Sequence, residues 1–156
     1  MTAPADILPA SPLEAHAGYW LRFVSNHVSY AFSRKVAQRG VTVAEWVVLR
    51  ELYASGGAAP SRLAERLGMT RGAITKLADR LVAKSLLLRR HDRADRRAQT
   101  LTLTEAARAL VPELSALADR NDAEFFGHLT AAERQWLERM MKEIVRRHAL
   151  RAVPID

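Results

Sequence analysis

The sequence predicts a mainly α fold with a small β-hairpin, on three observations. Both ends of the chain repeat apolar residues at helical intervals, two short helical stretches meet at a glycine near the middle, and the run "LLLRRHDRADRRAQTLTLT", residues 86–104, has alternating ends like a pair of strands. At 156 residues and 49% apolar content, the chain is sized for one domain around one core.

Residues 1–12, rich in Pro and Ala, are expected to form a loose N-terminal arm. A first helix over 13–38 follows from Leu13, Ala17, Trp20, Phe23, Val24, His27, Val28 and Ala31, and Gly40 ends it. Thr42 caps a second helix, "VAEWVVLRELYAS", with Trp46, Val47, Leu49 and Leu52 as its inner stripe and "GG" as its stop. In "PSRLAERLGMTRGAITKLADRLVAKSL", Pro60 suits a first helical turn, Leu63, Ala64 and Leu67 face inward, and Gly68 takes the left-handed position at the end. Thr70 then caps a further helix that buries Ile74, Leu77, Ala78 and Leu81. Ala64, Gly68 and Ile74 have helix-turn-helix spacing: a small residue where the helices cross, a permissive one in the turn, and a β-branched anchor. The outward face carries Arg71, Gly72, Ala73, Thr75, Lys76 and Arg80. Small residues there allow close backbone approach, and the donors suit base edges or phosphates.

Leu86–Arg90 and Gln99–Leu103 read as short strands, with Leu101 and Leu103 on one face and "HDRADRRA" as the tip. A hairpin after a helix-turn-helix is a wing. Its tip arginines, Arg93, Arg96 and Arg97, suit the strong negative potential of a narrow minor groove, and Asp92 and Asp95 read as residues that shape the loop. Beyond the wing, Thr104 caps "EAARALVPELSALADRNDAEFFGHL", where Pro112 predicts a kink or break. Thr130 and Glu133 form a capping box for a last helix over 131–149, with Trp136, Leu137, Met140, Met141, Ile144 and Val145 on its apolar face. The end helices carry more apolar surface than the central lobe needs, so they are expected to pack together and against a second copy. The expected organisation is a winged helix-turn-helix, 41–104, embedded in a helical dimerisation domain, 13–40 and 105–149.

Charge points the same way. Residues 61–97 hold eleven Lys or Arg against four acids, while the other 119 residues balance at thirteen of each. The whole net charge of +7 therefore falls in one contiguous quarter of the chain, the footprint of a polyanion binder. With no cysteine, disulfides, thiolate metal sites and catalytic thiols are excluded. No apolar run reaches membrane-span length, and "MTAPADILPASPLEAH" lacks the basic and apolar blocks of a signal peptide, so a cytoplasmic protein with no membrane partner is expected.

The run "SRLAERLGMTRGAITKLADRLVAKSLLLRR" into "HDRADRRAQTLTLTEAARAL" resembles the MarR family of winged-helix regulators, and "AEWVVLREL" is similar to that family's second helix. The resemblance spans roughly residues 15–148, and Asp95, Arg96 and Arg97 match the family's Asp-Arg-Arg wing tip. It implies an obligate homodimer joined by the first and the last two helices, with recognition helices in successive major grooves of double-stranded DNA. On the same basis Thr70, Arg71, Thr75, Lys76 and Arg80 would face DNA, and Arg96 would enter the minor groove. Ala107 departs from a glycine found in many members, and the cysteine of oxidant-sensing members is absent, so a small-molecule signal is expected.

His16, Trp20, Phe23 and His27 fall at intervals of four, three and four, on one face of the expected first helix. The resemblance implies a pocket for aromatic anions near there, with Arg50 as a counter-charge, although an aromatic stripe at this spacing is more often core or dimer contact. The five histidines show no convergent spacing for a metal, and no Gly-rich phosphate loop, H-E-x-x-H or G-x-S-x-G is present. No enzyme, metal or cofactor is expected. Three readings stay open: a sequence-specific regulator, expected to be a repressor released by a small aromatic or anionic ligand; a sequence-neutral architectural DNA-binding protein; and a ligand-binding helical dimer without a DNA role.

Overall fold

A computed structural model describes residues 10–91 and 99–150. A short 3-10 turn, Leu13–Ala15, leads into α1 (Ala17–Ala37), followed by α2 (Val43–Ser55), α3 (Pro60–Leu67) and α4 (Arg71–Ala83). Strands β1 (Leu87–His91) and β2 (Gln99–Leu103) then pair antiparallel, with Leu87 opposite Leu103 and His91 opposite Gln99. Helices α5 (Glu105–Phe126) and α6 (Ala131–Arg147) complete the described chain. The predicted class, mainly α with a β-hairpin wing, is the class observed.

Local signals set most of the boundaries. Thr42, Thr70, Thr104 and Thr130 each accept the backbone amide three residues on, which satisfies a donor that the first helical turn leaves open. Such a cap stabilises a helix by about 1 kcal/mol. Glu45 and Glu133 return the bond to the amides of Thr42 and Thr130, closing two capping boxes. Gly56 and Gly68 end α2 and α3 in the left-handed region, at φ of 73° and 63°.

The core lies beneath the helix-turn-helix. Val48, Leu49 and Leu52 of α2 meet Leu63 of α3, Ile74 and Leu81 of α4, Leu87 and Leu101 of the hairpin, and Val111 and Leu114 of α5. Removing one such leucine to alanine costs about 2–5 kcal/mol. The ends of the chain differ: α6 buries no residue and α1 buries only Val36. A polar cluster joins α1 to α5 instead, where buried Asn121 donates from Nδ2 to the Val28 carbonyl at 3.2 Å and accepts from Lys35 Nζ at 3.0 Å. Lys35 also reaches Glu124 at 2.6 Å. Among the described residues, no helix is long and apolar enough to cross a membrane.

Several sequence expectations need correction. His16 is not on the first helix: it is the extended residue before α1, φ −101° and ψ 124°, and its ring nitrogen approaches the carbonyls of Pro12 and Leu13. The inner stripe of α2 includes Val48, with Trp46 and Val47 only partly buried, because the helix is turned to bury Glu45 as well. The first strand starts at Leu87, one residue later than expected, since Ser85 takes φ 57° to close α4 and Leu86 still donates back to Leu81. Pro112 does not break α5. Pro112 and Arg108 are both exposed, so the carbonyl that loses its helical donor lies on the solvent side. The last helix stops at Arg147, and Ala149 has φ 49°. Residues 1–9 of the expected arm lie outside the described residues.

An isolated bridge fixes the base of the wing. Ala58 donates to Leu101 at 3.1 Å and accepts from it at 2.9 Å, so the segment before α3 acts as a one-residue third strand. Gly57 makes this possible with φ of 144°, and an added Cβ would stand 3.0 Å from Thr102 Cγ2 and 3.2 Å from the Leu101 carbonyl oxygen. Gly57→Ala is expected to lower stability by about 1–3 kcal/mol in denaturant melts. Gly18→Ala is the control, since its added Cβ meets nothing within 4 Å, and it should leave stability unchanged or raise it by up to about 1 kcal/mol.

Candidate nucleic-acid interface

The N-terminus of α4 is open to solvent. Thr70, in an extended conformation, accepts the Ala73 amide at 3.1 Å, which leaves the amides of the first turn pointing outward as a site of positive potential. Arg71, Gly72, Thr75 and Lys76 are all exposed around it. A Cβ at Gly72 would meet nothing within 4 Å, so its small size serves no packing need inside the chain. The Thr75 hydroxyl donates to the Arg71 carbonyl at 2.9 Å, which leaves its lone pairs to accept from a partner. A shallow cleft of about 590 Å³ runs between α3 and this end of α4, lined by Ser61, Arg62, Glu65 and Arg71 among others.

The basic segment is smaller in space than in sequence. Two carboxylates of α2 fold onto it: Glu51 takes Arg66 at 2.6 Å, and Glu45 takes Arg80 Nε at 3.1 Å and Lys84 Nζ at 2.8 Å. Asp79 pairs with Arg89 between α4 and β1. Among the described residues, Arg71 and Lys76 have no carboxylate partner. Arg80 does have one, a partner the sequence reading did not give it. The tip residues Asp92, Arg93, Asp95, Arg96 and Arg97 lie outside the described residues.

Glu45 is fully buried, and its carboxylate also accepts the Thr42 amide at 2.8 Å. Burial alone would push its proton affinity up. The hydrogen bond from Lys84, the Thr42 amide, and the charges of Lys84 and Arg80 together outweigh that effect, and its pKa lies below the ordinary glutamate value. Lys84 adds a bond to the Gly40 carbonyl at 2.7 Å, so one ammonium ties the end of α4 to α2 and to the turn after α1.

The expected ligand residues are only partly brought together. Phe23 and His27 stack with ring centroids 4.8 Å apart, and Trp20 meets Phe23 edge-on at 6.3 Å. His16 is turned back on its own 3-10 turn, and no hydrogen bond joins Arg50, exposed on α2, to the stack. Beside the stack, an apolar cleft of about 700 Å³ separates α1 from the α5–α6 corner, lined by Trp20, Leu21, Val24, Phe126, Leu137 and Met141 among others. Among the described residues, no group of three or more His, Asp or Glu is placed to hold a metal.

Residues 41–98 match the sequence model of the MarR family. The HTH-type transcriptional repressor MdtR of Bacillus subtilis (strain 168) is 35% identical over 96 residues, an alignment that takes in 62% of this chain and 62% of that repressor. The chain thus spans under two thirds of that relative's length. Among solved structures, Bordetella bronchiseptica BpsR, described for the regulation of its DNA binding by 6-hydroxynicotinic acid, superposes with a TM-score of 0.75 at 27% identity, covering 87% of this chain and 97% of that one. A mutant MarR from E. coli complexed with operator DNA superposes with a TM-score of 0.74 at 25% identity, covering 82% and 92% of the two chains.

The state of Glu45 has a consequence for acid stability. Its folded pKa is lower than its unfolded one, about 4.3, so its contribution is present above that value and is lost as pH falls through the folded value. Glu45→Ala is expected to cost roughly 2–3 kcal/mol at neutral pH, less than for a fully buried pair because both cations are part exposed. The gap between wild type and variant should narrow in melts below about pH 4.

Proposed function

We propose that the chain is a MarR-family transcriptional regulator that binds double-stranded DNA sequence-specifically, a reading supported by the match of residues 41–98 to that family's sequence model. The observation that carries the proposal is the open end of α4, where exposed Arg71 and Lys76 flank a backbone left bare at Gly72. Helix amides, two cations and an acceptor at Thr75 give a surface for phosphates and base edges in a major groove. Thr70 serves as the helix cap and lies at the same edge. On the sequence reading, Arg93, Arg96 and Arg97 extend the contact into the flanking minor groove, with Asp95 shaping the tip.

The acting unit in this reading is a homodimer. Unpartnered apolar faces support it: Trp20, Leu21 and Val24 on α1, and Trp136, Met140 and Ile144 on α6, are exposed in the single chain. Two-fold symmetry sets the operator as pseudo-palindromic, with half-site centres about 10 bp apart. Repression is the regulatory sense we assign, in line with the MdtR relative. A small aromatic anion is the proposed releasing ligand, as with the regulation of BpsR by 6-hydroxynicotinic acid. Such a ligand acts only as far as its affinity differs between the DNA-competent spacing and the other.

Selection from a random duplex library at near-physiological salt tests the reading. Enrichment of an inverted repeat with one-turn spacing is expected; salt-sensitive binding without an enriched motif would replace it with the architectural reading. On the selected site, Lys76→Ala should reduce the dependence of log K on log salt by about 0.9, and Arg96→Ala should weaken binding by about 1–3 kcal/mol. Ile144→Glu should shift the protein toward monomer in sedimentation and weaken operator binding with it.

A further inference from the structure

Lys76, Arg80 and Lys84 repeat every four residues, one basic stripe running down α4 from its open end toward the wing. Unpaired, all three would be available to phosphates. The structure divides them. Lys76 has no carboxylate partner among the described residues, whereas Arg80 and Lys84 both turn to Glu45, which has no solvent exposure of its own. Their side chains remain 53% and 38% exposed, so both stand at the surface while their charge is met from within. The oxygen that takes Lys84 also accepts the Thr42 amide, which ties the carboxylate to the start of α2.

Resting on the DNA-binding reading above, we propose that Glu45 is an internal competitor for phosphate: it withholds Arg80 and Lys84 from the DNA backbone and so sets the sequence-neutral affinity of the recognition helix. A phosphate contact strengthens binding to every sequence and carries no base information. A carboxylate beneath the helix therefore keeps the protein from being retained on arbitrary DNA, while the open end of α4 stays free to read bases. Arg80, expected from its spacing to touch DNA, becomes a structural cation in this reading.

The test uses the purified wild-type protein, Glu45→Gln and Arg80→Gln with a random-sequence duplex, titrated over a range of salt. Gln keeps an acceptor for the Thr42 amide and removes the charge. The Glu45→Gln protein should bind more tightly, on the order of fivefold per freed cation near 0.15 M salt, and its log K against log salt should steepen by about 0.9 per cation. An unchanged slope, with equal or weaker binding, would mean that Glu45 is only a structural clamp and overturns the proposal. Should Glu45→Gln not melt cooperatively, Arg80→Gln decides: a wild-type slope is expected, and a slope shallower by about 0.9 overturns it. No duplex binding by wild type at any salt would remove the DNA-binding reading itself, a result distinct from all of these.

Discussion

A carboxylate without solvent costs several kcal/mol unless its charge is met, and the placement of α4 depends on how the charge of Glu45 is met. One oxygen takes Arg80, and the other takes Lys84 and the Thr42 amide. The bonds come from the start of α2 and the last turns of α4, and Lys84 continues to the Gly40 carbonyl just after α1. Three elements are thereby referred to a single point. Hydrophobic contacts between α2 and α4 allow some sliding; two directed ion pairs with a shared carboxylate fix rotation and register as well.

The apolar surface is divided as unevenly as the charge. Helices α2, α3 and α4, strands β1 and β2 and the first half of α5 contribute buried side chains to one core that also takes Val36 of α1, while α6 contributes none. The contact of α1 with α5 adds to buried Val36 a polar link through Asn121, Lys35 and Glu124. A buried polar link of that kind specifies an arrangement more than it strengthens one, since its net stabilisation is small and its geometry is strict. The central lobe is thus closed by packing, and the ends are oriented by hydrogen bonds and left with apolar faces to share.

The legible parts of the fold are those written within a few residues. Four threonine caps, the glycine that ends α3, and the inward faces of α3 and α4 all depend on neighbours one helical turn away, and each was readable from spacing. Glu45 shows the limit. Thr42 was legible as a cap, but Glu45 received no role from the sequence: its bonds to Arg80 and Lys84 cross 35 and 39 residues, and nothing local marks a glutamate in a first helical turn as buried. For the same reason the charge count along the sequence overstated the exposed patch, because Glu45 and Glu51 fold onto it from outside the segment. Histidine spacing misled at His16, where the helix starts one residue later and the ring finds carbonyls nearby. Arg71 and Lys76, read as lying on an outward face, are exposed on α4.

The bridge between Ala58 and Leu101 closes the chain on itself, and α3, α4 and β1 all lie inside the ring it makes. A segment stapled at both ends need not unravel from either one. Opening the ring at its base requires that bridge to break. The amides of Ala58 and Leu101 close that ring, so their hydrogen exchange reports how often its base comes undone.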